Sequence, residues 1–375
     1  GLQQVTSRIH QLGAGISYGI GTGGRDLSEQ VGAITFRQGL DLLARDPETQ
    51  VIVLVSKPPA RRVADEVLAL ARQVTRPVVV AFIGHAPATR QLDNLCFAAG
   101  LDDAAQLAVE LVTADRRPLT DDDVPADRGR FASGQRYLRG LFSGGTLAYE
   151  AQVILRDYVP RVWANAPLDK ADRLPNSLIS QEHTIIDLGE DEFTVGRLHP
   201  MLDNELRIRR LMQEAADPEV AVILLDVVLG FGAHPNPAAE LAPAIARAKA
   251  QAEAAGRHLE VIVVVTGTDE DPQKLDDQIR QLRNAGAWVE TSNEAAARHA
   301  GRLLRALNPP TIGDGKLPPV DLATLQRPLA AINVGLESFA ENLIAQGAQA
   351  VQVDWRPPAG GNEKLMGILA RMKKG

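Results

Sequence analysis

The chain has 375 residues, 45% of them hydrophobic and 23% charged, a soluble-globular composition too large for one ordinary core and fitting two domains of roughly 150 residues. A net charge of −7 with no dense run of Lys and Arg argues against a nucleic-acid surface, and the closing Lys373-Lys374 reads as a solvated terminus. The single cysteine excludes an internal disulfide framework, and no apolar run reaches about 18 residues, so neither a membrane span nor a signal peptide is expected and the cytoplasm is the expected location.

Apolar residues from Gly1 through Leu12 recur with helical spacing. Gly19 to Asp26 is the densest glycine stretch of the chain. Phe36 to Ala44 then reads as a helix, Gln50 to Ser56 as a strand, Arg62 to Val74 as a helix and Pro77 to Ile83 as a second buried strand. Cys96 lies in Asn94 to Ala99, a third buried strand, and reads as core rather than nucleophile. Leu101-Asp102-Asp103 is expected to supply the N-cap of a helix over Ala104 to Val112. Residues 115–135, rich in Asp and Pro, read as a linker.

The chain then repeats itself. Asp46-Pro47-Glu48 and the apolar run ending at Val55 recur as Asp217-Pro218-Glu219 and the run ending at Asp226, at a constant offset of 171 (46 to 217, 48 to 219). A period that long marks duplicated domains, not a solenoid. The second copy opens with a strand over Tyr137 to Phe142, a glycine turn at Ser143 to Thr146 and a helix from Leu147 to Tyr158. Helix Asn204 to Ala215, strand Ala221 to Leu229, helix Ala238 to Ala254, strand Leu259 to Thr266, strand Ala287 to Glu290 and helix Glu294 to Leu307, capped by Ser292-Asn293, complete it. Strands apolar along their length, alternating with amphipathic helices, give an α/β class with doubly wound parallel sheets covered on both faces. The first copy, over 1–114, lacks the strand and glycine turn that open the second, over 136–307, and a preceding segment is therefore expected. A Pro-rich linker over 308–328 leads to a small α/β piece, 329–375. In it Ala330 to Gly335 and Ala350 to Trp355 read as strands and Leu336 to Gln346 as a helix; alone it is too small for a good core.

In doubly wound sheets ligands collect beyond the carboxyl ends of the strands. Ser143-Gly144-Gly145-Thr146 stands there, at a helix N-terminus where converging N–H groups hold anions, with Ser143 and Thr146 as further hydroxyl donors; a tight structural turn is the alternative. Gly23, Gly24 and Arg25 form a second candidate anion loop, one that matches neither a P-loop nor a dinucleotide fingerprint, and a plain surface loop is its alternative. Gly230, Gly232 and His234 follow a central strand, so His234 is a candidate acid–base residue, as is His85 after a strand of the first copy. Each histidine also has a purely structural reading. No metal-ligand spacing and no Ser/His/Asp set can be assembled.

The stretch from Ile16 to Pro59, above all Gly15 to Leu27 and Val53 to Pro59, resembles the CoA-ligase domains of succinyl-CoA synthetase and related acyl-CoA synthetases. Ser143 to Leu147, Phe193 to Met201 and Gly230 to Pro235 resemble the FdrA branch of that group. The resemblance implies two flavodoxin-like ligase domains facing each other, behind a CoA-binding domain. It also implies departures. The histidine loop that carries phosphate in the ligases is represented only by Gly84-His85-Ala86-Pro87, Ser56-Lys57 stands where they have a glutamate, and no ATP-grasp domain fits. FdrA relatives are linked to an oxamate carbamoyltransferase of allantoin and ureide breakdown, which converts oxalurate and phosphate to oxamate and carbamoyl phosphate. The expected role is thus a subunit of a carbamoyltransferase complex, homo- or hetero-oligomeric, binding a small anionic substrate without a phosphohistidine. An acyl-CoA synthetase fragment or a non-catalytic metabolite-binding scaffold are the alternatives. CoA and phosphate are the candidate ligands, neither of them fixed by the residues. The tail from Asn333 to Gly361 resembles the start of a partner subunit, an interface element or a trace of fusion.

Overall fold

The computed structural model describes residues 1–85, 89–113, 128–309 and 327–354. Helix α1 (Leu2–Gln11) and helix α2 (Ile34–Arg45) precede strand β1 (Ile52–Ser56); α3 (Arg61–Ala71), β2 (Val78–Phe82), the short β3 (Gln91–Leu92), β4 (Leu95–Phe97) and α4 (Leu101–Thr113) follow. The second half runs β5 (Tyr137–Phe142), α5 (Gly145–Leu155), β6 (Trp163–Ala164), β7 (Thr184–Asp187), α6 (Asp191–Thr194), α7 (Glu205–Ala216), β8 (Val220–Val228), α8 (Pro237–Ala254), β9 (Glu260–Thr266), α9 (Leu275–Asn284), β10 (Trp288–Glu290) and α10 (Asn293–Leu307). Both halves lie in one unit, Gly1–Pro310. A second unit, Thr311–Gly375, contributes β11 (Ala330–Asn333), α11 (Glu337–Ala345) and β12 (Gln349–Gln352), a parallel pair with its crossover helix.

The second sheet is parallel throughout, in the order β10-β9-β8-β5-β7-β6. Set aside the two-residue edge strand β6, and the five longer strands follow the flavodoxin-like order 2-1-3-4-5. The sequence permits this because β8 and β9 are apolar almost end to end and both their faces are covered by helices. Helix α8 starts where Asn236 accepts the Ala239 N–H and Pro237 supplies a preset first turn; α10 starts where Ser292 accepts the Ala295 N–H.

The first sheet carries only the counterparts of β8, β9 and β10, as the parallel run β1-β2-β4 with β3 antiparallel at its edge. Relative to the duplicate it lacks the counterparts of β5, β6 and β7, where the sequence reading expects only the opening strand to be missing. The reason is cooperative. In the duplicate β7 pairs with β5 and β6, and with neither ladder present the segment around Gly15–Gly21 is a loop. The opening residues form α1, as the helical spacing predicts. At α4 the expectation is corrected: the helix begins at Leu101, so Asp102 and Asp103 occupy its first turn instead of capping it. The linker reading over 115–135 falls partly outside the described residues, and its end is anchored, since buried Gln135 donates to the carbonyls of Val220 and His258. Of the linker over 308–328, residues 310–326 lie outside the described residues, as does Trp355 onward.

The two halves share a core. Val5 and Ile9 of α1, and Leu101, Ala104 and Ala108 of α4, join Leu147, Ala151 and Leu155 of α5 and Ala297 and Ala300 of α10 in one buried apolar cluster. Helix α5 is nearly apolar all round, the composition of a helix enclosed on every side. This packing brings the N-termini of α1 and α5 together. Among the described residues no helix is long and apolar enough to cross a membrane.

Candidate functional site

The chain leaves β5 at Phe142 and turns through Ser143-Gly144 into α5. Gly144 is the N-cap, in extended conformation, with no side chain capping the first turn. Nothing lies within 4 Å of where a side chain at Gly144 would begin. The first N–H groups of α5 thus have no side-chain cap, at an end where the macrodipole adds about half a positive charge. Helix α1 arrives beside it: a Cβ on its N-cap, Gly1, would lie 2.7 Å from Thr146 Cγ2. Between the two helix ends is a cleft of about 130 Å³, lined by Ser143, Gly144, Gly145, Thr146, His199 and Asp226 among others.

Ser143 is spoken for. Its backbone N–H donates to Asp226 Oδ1 at 2.7 Å and its hydroxyl to Asp226 Oδ2 at 2.6 Å, so the hydroxyl proton expected for an anion goes to Asp226 instead. Asp226 is itself buried and paired with fully buried Arg207 at 3.2 Å. The carboxylate in the cleft wall is therefore neutralised from behind. His199 offers the opposite polarity. Its Nδ1 accepts the Met201 N–H at 3.2 Å, which puts the ring proton of the neutral form on Nε2. Burial holds its pKa below the ordinary histidine value, so the ring is a neutral donor at pH 7.

On the other side of Gly145 stand Asp187, at the end of β7, and Lys57, just past β1 of the first half. A Cβ on Gly145 would lie 2.7 Å from Asp187 Oδ2 and 3.7 Å from Lys57 Nζ, so Asp187 packs directly on Gly145 with Lys57 close by. Asp187 is 3% exposed; Oδ1 accepts the Gly189 N–H at 2.9 Å, and among the described residues Oδ2 has no hydrogen-bond partner. Burial, reinforced by Glu190, pushes its pKa from the ordinary carboxylate range up to about 7. Lys57 Nζ lies 3.5 Å from Glu190 Oε1 and 5.8 Å from the centre of the Tyr149 ring.

The other expected residues lie elsewhere. Gly23 and Gly24 line a longer cleft of about 860 Å³ that follows the unpaired edge of β1 and also touches Gly145 and Thr146. Gly24 packs on the Lys57 side chain, while exposed Arg25 is ion-paired with Asp191. His234 lies outside both clefts: Nε2 sits 3.2 Å from Glu240 and Nδ1 accepts the Asn236 N–H, which ties the ring to the start of α8. Gly230 exchanges two hydrogen bonds with Gln273, and Gly232 has open space around it. His85 rests edge-on against Phe82 at 6.5 Å and lines neither cleft; residues 86–88 lie outside the described residues. Among the described residues no group of three or more His, Cys, Asp or Glu side chains is arranged to hold a metal.

Sequence reasoning thus finds the Ser143 to Thr146 turn and misses His199, Asp187, Asp226 and the cationic role of Lys57. A signal existed for two of them: an acidic residue ends or interrupts an otherwise apolar strand at Ile185-Ile186-Asp187 and Leu224-Leu225-Asp226, where burying a carboxylate costs free energy unless it has a task.

Residues 141–303 match the CoA-ligase family. The matched segment holds the end of β5, the Ser143 to Thr146 turn, Asp187, His199 and Asp226. The protein YahF of Escherichia coli (strain K12), uncharacterized, is 42% identical over 300 residues, which are 78% of this chain and 58% of YahF. The chain therefore spans little more than half the length of that relative. Among solved structures, PH0766 from Pyrococcus horikoshii OT3 covers 73% of the chain and 55% of its own at 14% identity, with a TM-score of 0.28. ATP citrate lyase from Methanothrix soehngenii, in complex with citrate and coenzyme A, covers 80% and 42% at 13% identity, with a TM-score of 0.29.

Proposed function

We propose that the chain binds small anions between the N-termini of α1 and α5 and serves as a subunit of a cytoplasmic carbamoyltransferase of the FdrA type, acting on oxalurate and phosphate to give oxamate and carbamoyl phosphate. The observation that carries this reading is the uncapped N-terminus of α5, which opens on a 130 Å³ cleft lined also by Gly1 and His199. Phosphate, carbamoyl phosphate and oxamate all fit a cleft of that size and charge. Orientation and charge stabilisation are what such a transfer needs, with no phosphorylated intermediate.

The match to the CoA-ligase family favours a second reading, an acid–thiol ligase acting on CoA. The two are separated by ligand-dependent unfolding of the full chain with inorganic phosphate, carbamoyl phosphate, oxamate and CoA. Phosphate at a hundred times its Kd stabilises by about 2.7 kcal/mol, a rise in Tm of several degrees for a unit of this size. Protection by phosphate and oxamate but not by CoA supports carbamoyl transfer; protection by CoA alone overturns it.

A further inference from the structure

The edge of β1 that faces away from β2 is open. Ile52 N–H donates to the Pro77 carbonyl and Ser56 C=O accepts from Ile83 N–H, so the alternate residues Val51, Val53 and Val55 turn their N–H and C=O groups the other way. Among the described residues no strand pairs with them, since β1 ends its sheet. Ile52-Val53-Leu54-Val55-Ser56 carries none of the charges, prolines or bulges that guard native edge strands. Along this edge runs the cleft of about 860 Å³, and its walls are apolar on both sides: Val5, Ile9 and Ala108 on one, Leu27, Leu40 and Leu43 on the other. A groove with a strand edge for its floor and two apolar walls fits an extended segment whose successive side chains point to alternate sides.

The second half shows what such an edge receives. At the offset of 171 the counterpart of β1 is β8, and there β5 lies parallel with Leu138 to Leu141 opposite Val222 to Leu225. Subtracting the offset sets the same stretch opposite Val51 to Leu54. Beyond Phe142 the chain needs only Ser143 to reach Gly144, the N-cap of α5. In the first half the N-cap of α1 is Gly1, whose Cβ position lies 3.1 Å from Val55 Cγ1, so a strand docked in this register ends beside the start of α1. We propose that the groove along β1 is a strand-acceptor site, filled by the stretch of polypeptide that leads into α1, parallel to β1 and in the register that β5 holds on β8. YahF runs well beyond the matched 58% of its length, ample for one strand. Docking also gives the loop around Gly15–Gly21 the neighbour it lacks. Ile16, Tyr18 and Ile20 alternate as in a strand and are all exposed, and they pair on the outer side of the new strand as β7 pairs with β5.

The test joins a copy of the β5 sequence, residues 137–143, ahead of Gly1 in the full chain. The grafted copy carries Arg139→Val, because Glu214, which holds Arg139 in the second half, has Leu43 as its counterpart. A graft of the same residues in scrambled order is the control, and the β5-copy peptide is also added in trans to the chain without a graft. Amide exchange followed by NMR is expected to slow roughly tenfold or more at Val53 and Val55 and to slow at Ile16 to Ile20, with a rise in Tm; the free peptide at saturation gives the same pattern of protection and the scrambled graft gives none. Equal protection by the scrambled graft, or exchange at Val53 and Val55 that neither graft nor peptide alters, overturns the inference. So does protection of Val53 and Val55 that grows with concentration of the chain without a graft, because a second copy then fills the groove.

Discussion

Glu150 gives the most direct test of how the two halves are joined. It projects from α5 into the shared core and is 3% exposed. Its Oε1 accepts the Leu101 N–H at the start of α4 at 2.6 Å, and its Oε2 accepts Asn293 Nδ2–H at the start of α10 at 2.8 Å. Those donors favour the charged form, but burial outweighs them and, with Glu294 and Asp102 close by, raises the pKa from 4.5 to about 7. The like charge is near: a Cβ on Gly100 would lie 2.9 Å from Glu150 Oε1 and 3.0 Å from Glu294 Oε2. Between pH 4.5 and 7 the folded chain therefore holds a proton that the unfolded chain has released. Stability must fall as pH rises through that window and level off above about 7. The gap, at about 1.4 kcal/mol per pH unit, amounts to roughly 3 kcal/mol. Glu150→Gln removes this dependence, at a fixed cost of about 1 kcal/mol for the mismatched amide at Asn293. Urea unfolding of both proteins at pH 5, 6, 7 and 8 should show the variant gaining on the wild type by on the order of 2–3 kcal/mol across the series. Parallel pH curves would refute the reasoning, because they would mean that Glu150 is ionised in the folded state from pH 5 upward.

Three further outcomes are expected. His183 works in the opposite sense: burial first, then Arg139, lowers its pKa from 6.5 to about 4, so its contribution is intact above pH 6.5 and is lost as pH falls toward 4, by on the order of 3 kcal/mol; His183→Asn should flatten that acid limb in the same unfolding series. Asp226→Asn leaves fully buried Arg207 without its counter-charge and should cost roughly 3–5 kcal/mol in urea unfolding while abolishing protection by phosphate. Gly301→Ala on α10 places a Cβ 2.4 Å from the Tyr158 ring and should cost roughly 1–3 kcal/mol, whereas in a Tyr158→Ala background it should gain up to about 1 kcal/mol of helix propensity; the same sign in both backgrounds would contradict the packing.

Much of the fold is legible in the sequence because most of its signals are local. The run Tyr137 to Phe142 is a strand to the residue, and α5, α7, α8 and α10 fall within a few residues of their predicted bounds, since periodicity, Asn236 with Pro237, and Ser292 all act within a turn of where they stand, whereas α6 and α9 are not foreseen. The missing counterpart of β7 is not legible, because a strand exists only if its neighbour does. The site divides in the same way. A glycine turn between strand and helix announces the α5 N-terminus, yet nothing local says that Met201 fixes the tautomer of His199 or that Lys57 crosses from the other half. Conversely, His234 stands where histidines often do chemistry, and it is Glu240 on its own helix that engages it instead.

The duplication explains why one such site exists and not two. At the offset of 171 residues Asp226 corresponds to Val55 and Val228 to Lys57, so the two copies hold opposite characters at equivalent strand ends. In the second half Asp226 ties down the turn before α5; in the first, Val55 offers α1 only an apolar contact, 3.1 Å from the Cβ position of Gly1. The cation is placed on the opposite copy, where Lys57 reaches over to Gly145. Paired helices from a duplicated fold would give two like anion sites if the copies had stayed alike. With the carboxylates on one copy and the lysine on the other, the charged groups gather around the one α5 N-terminus, and a ligand bound there touches both halves. Binding should then stiffen the joint between the copies. Hydrogen exchange at the first turns of both α1 and α5 should slow together when inorganic phosphate is added, and slowing confined to α5 would show that α1 takes no part.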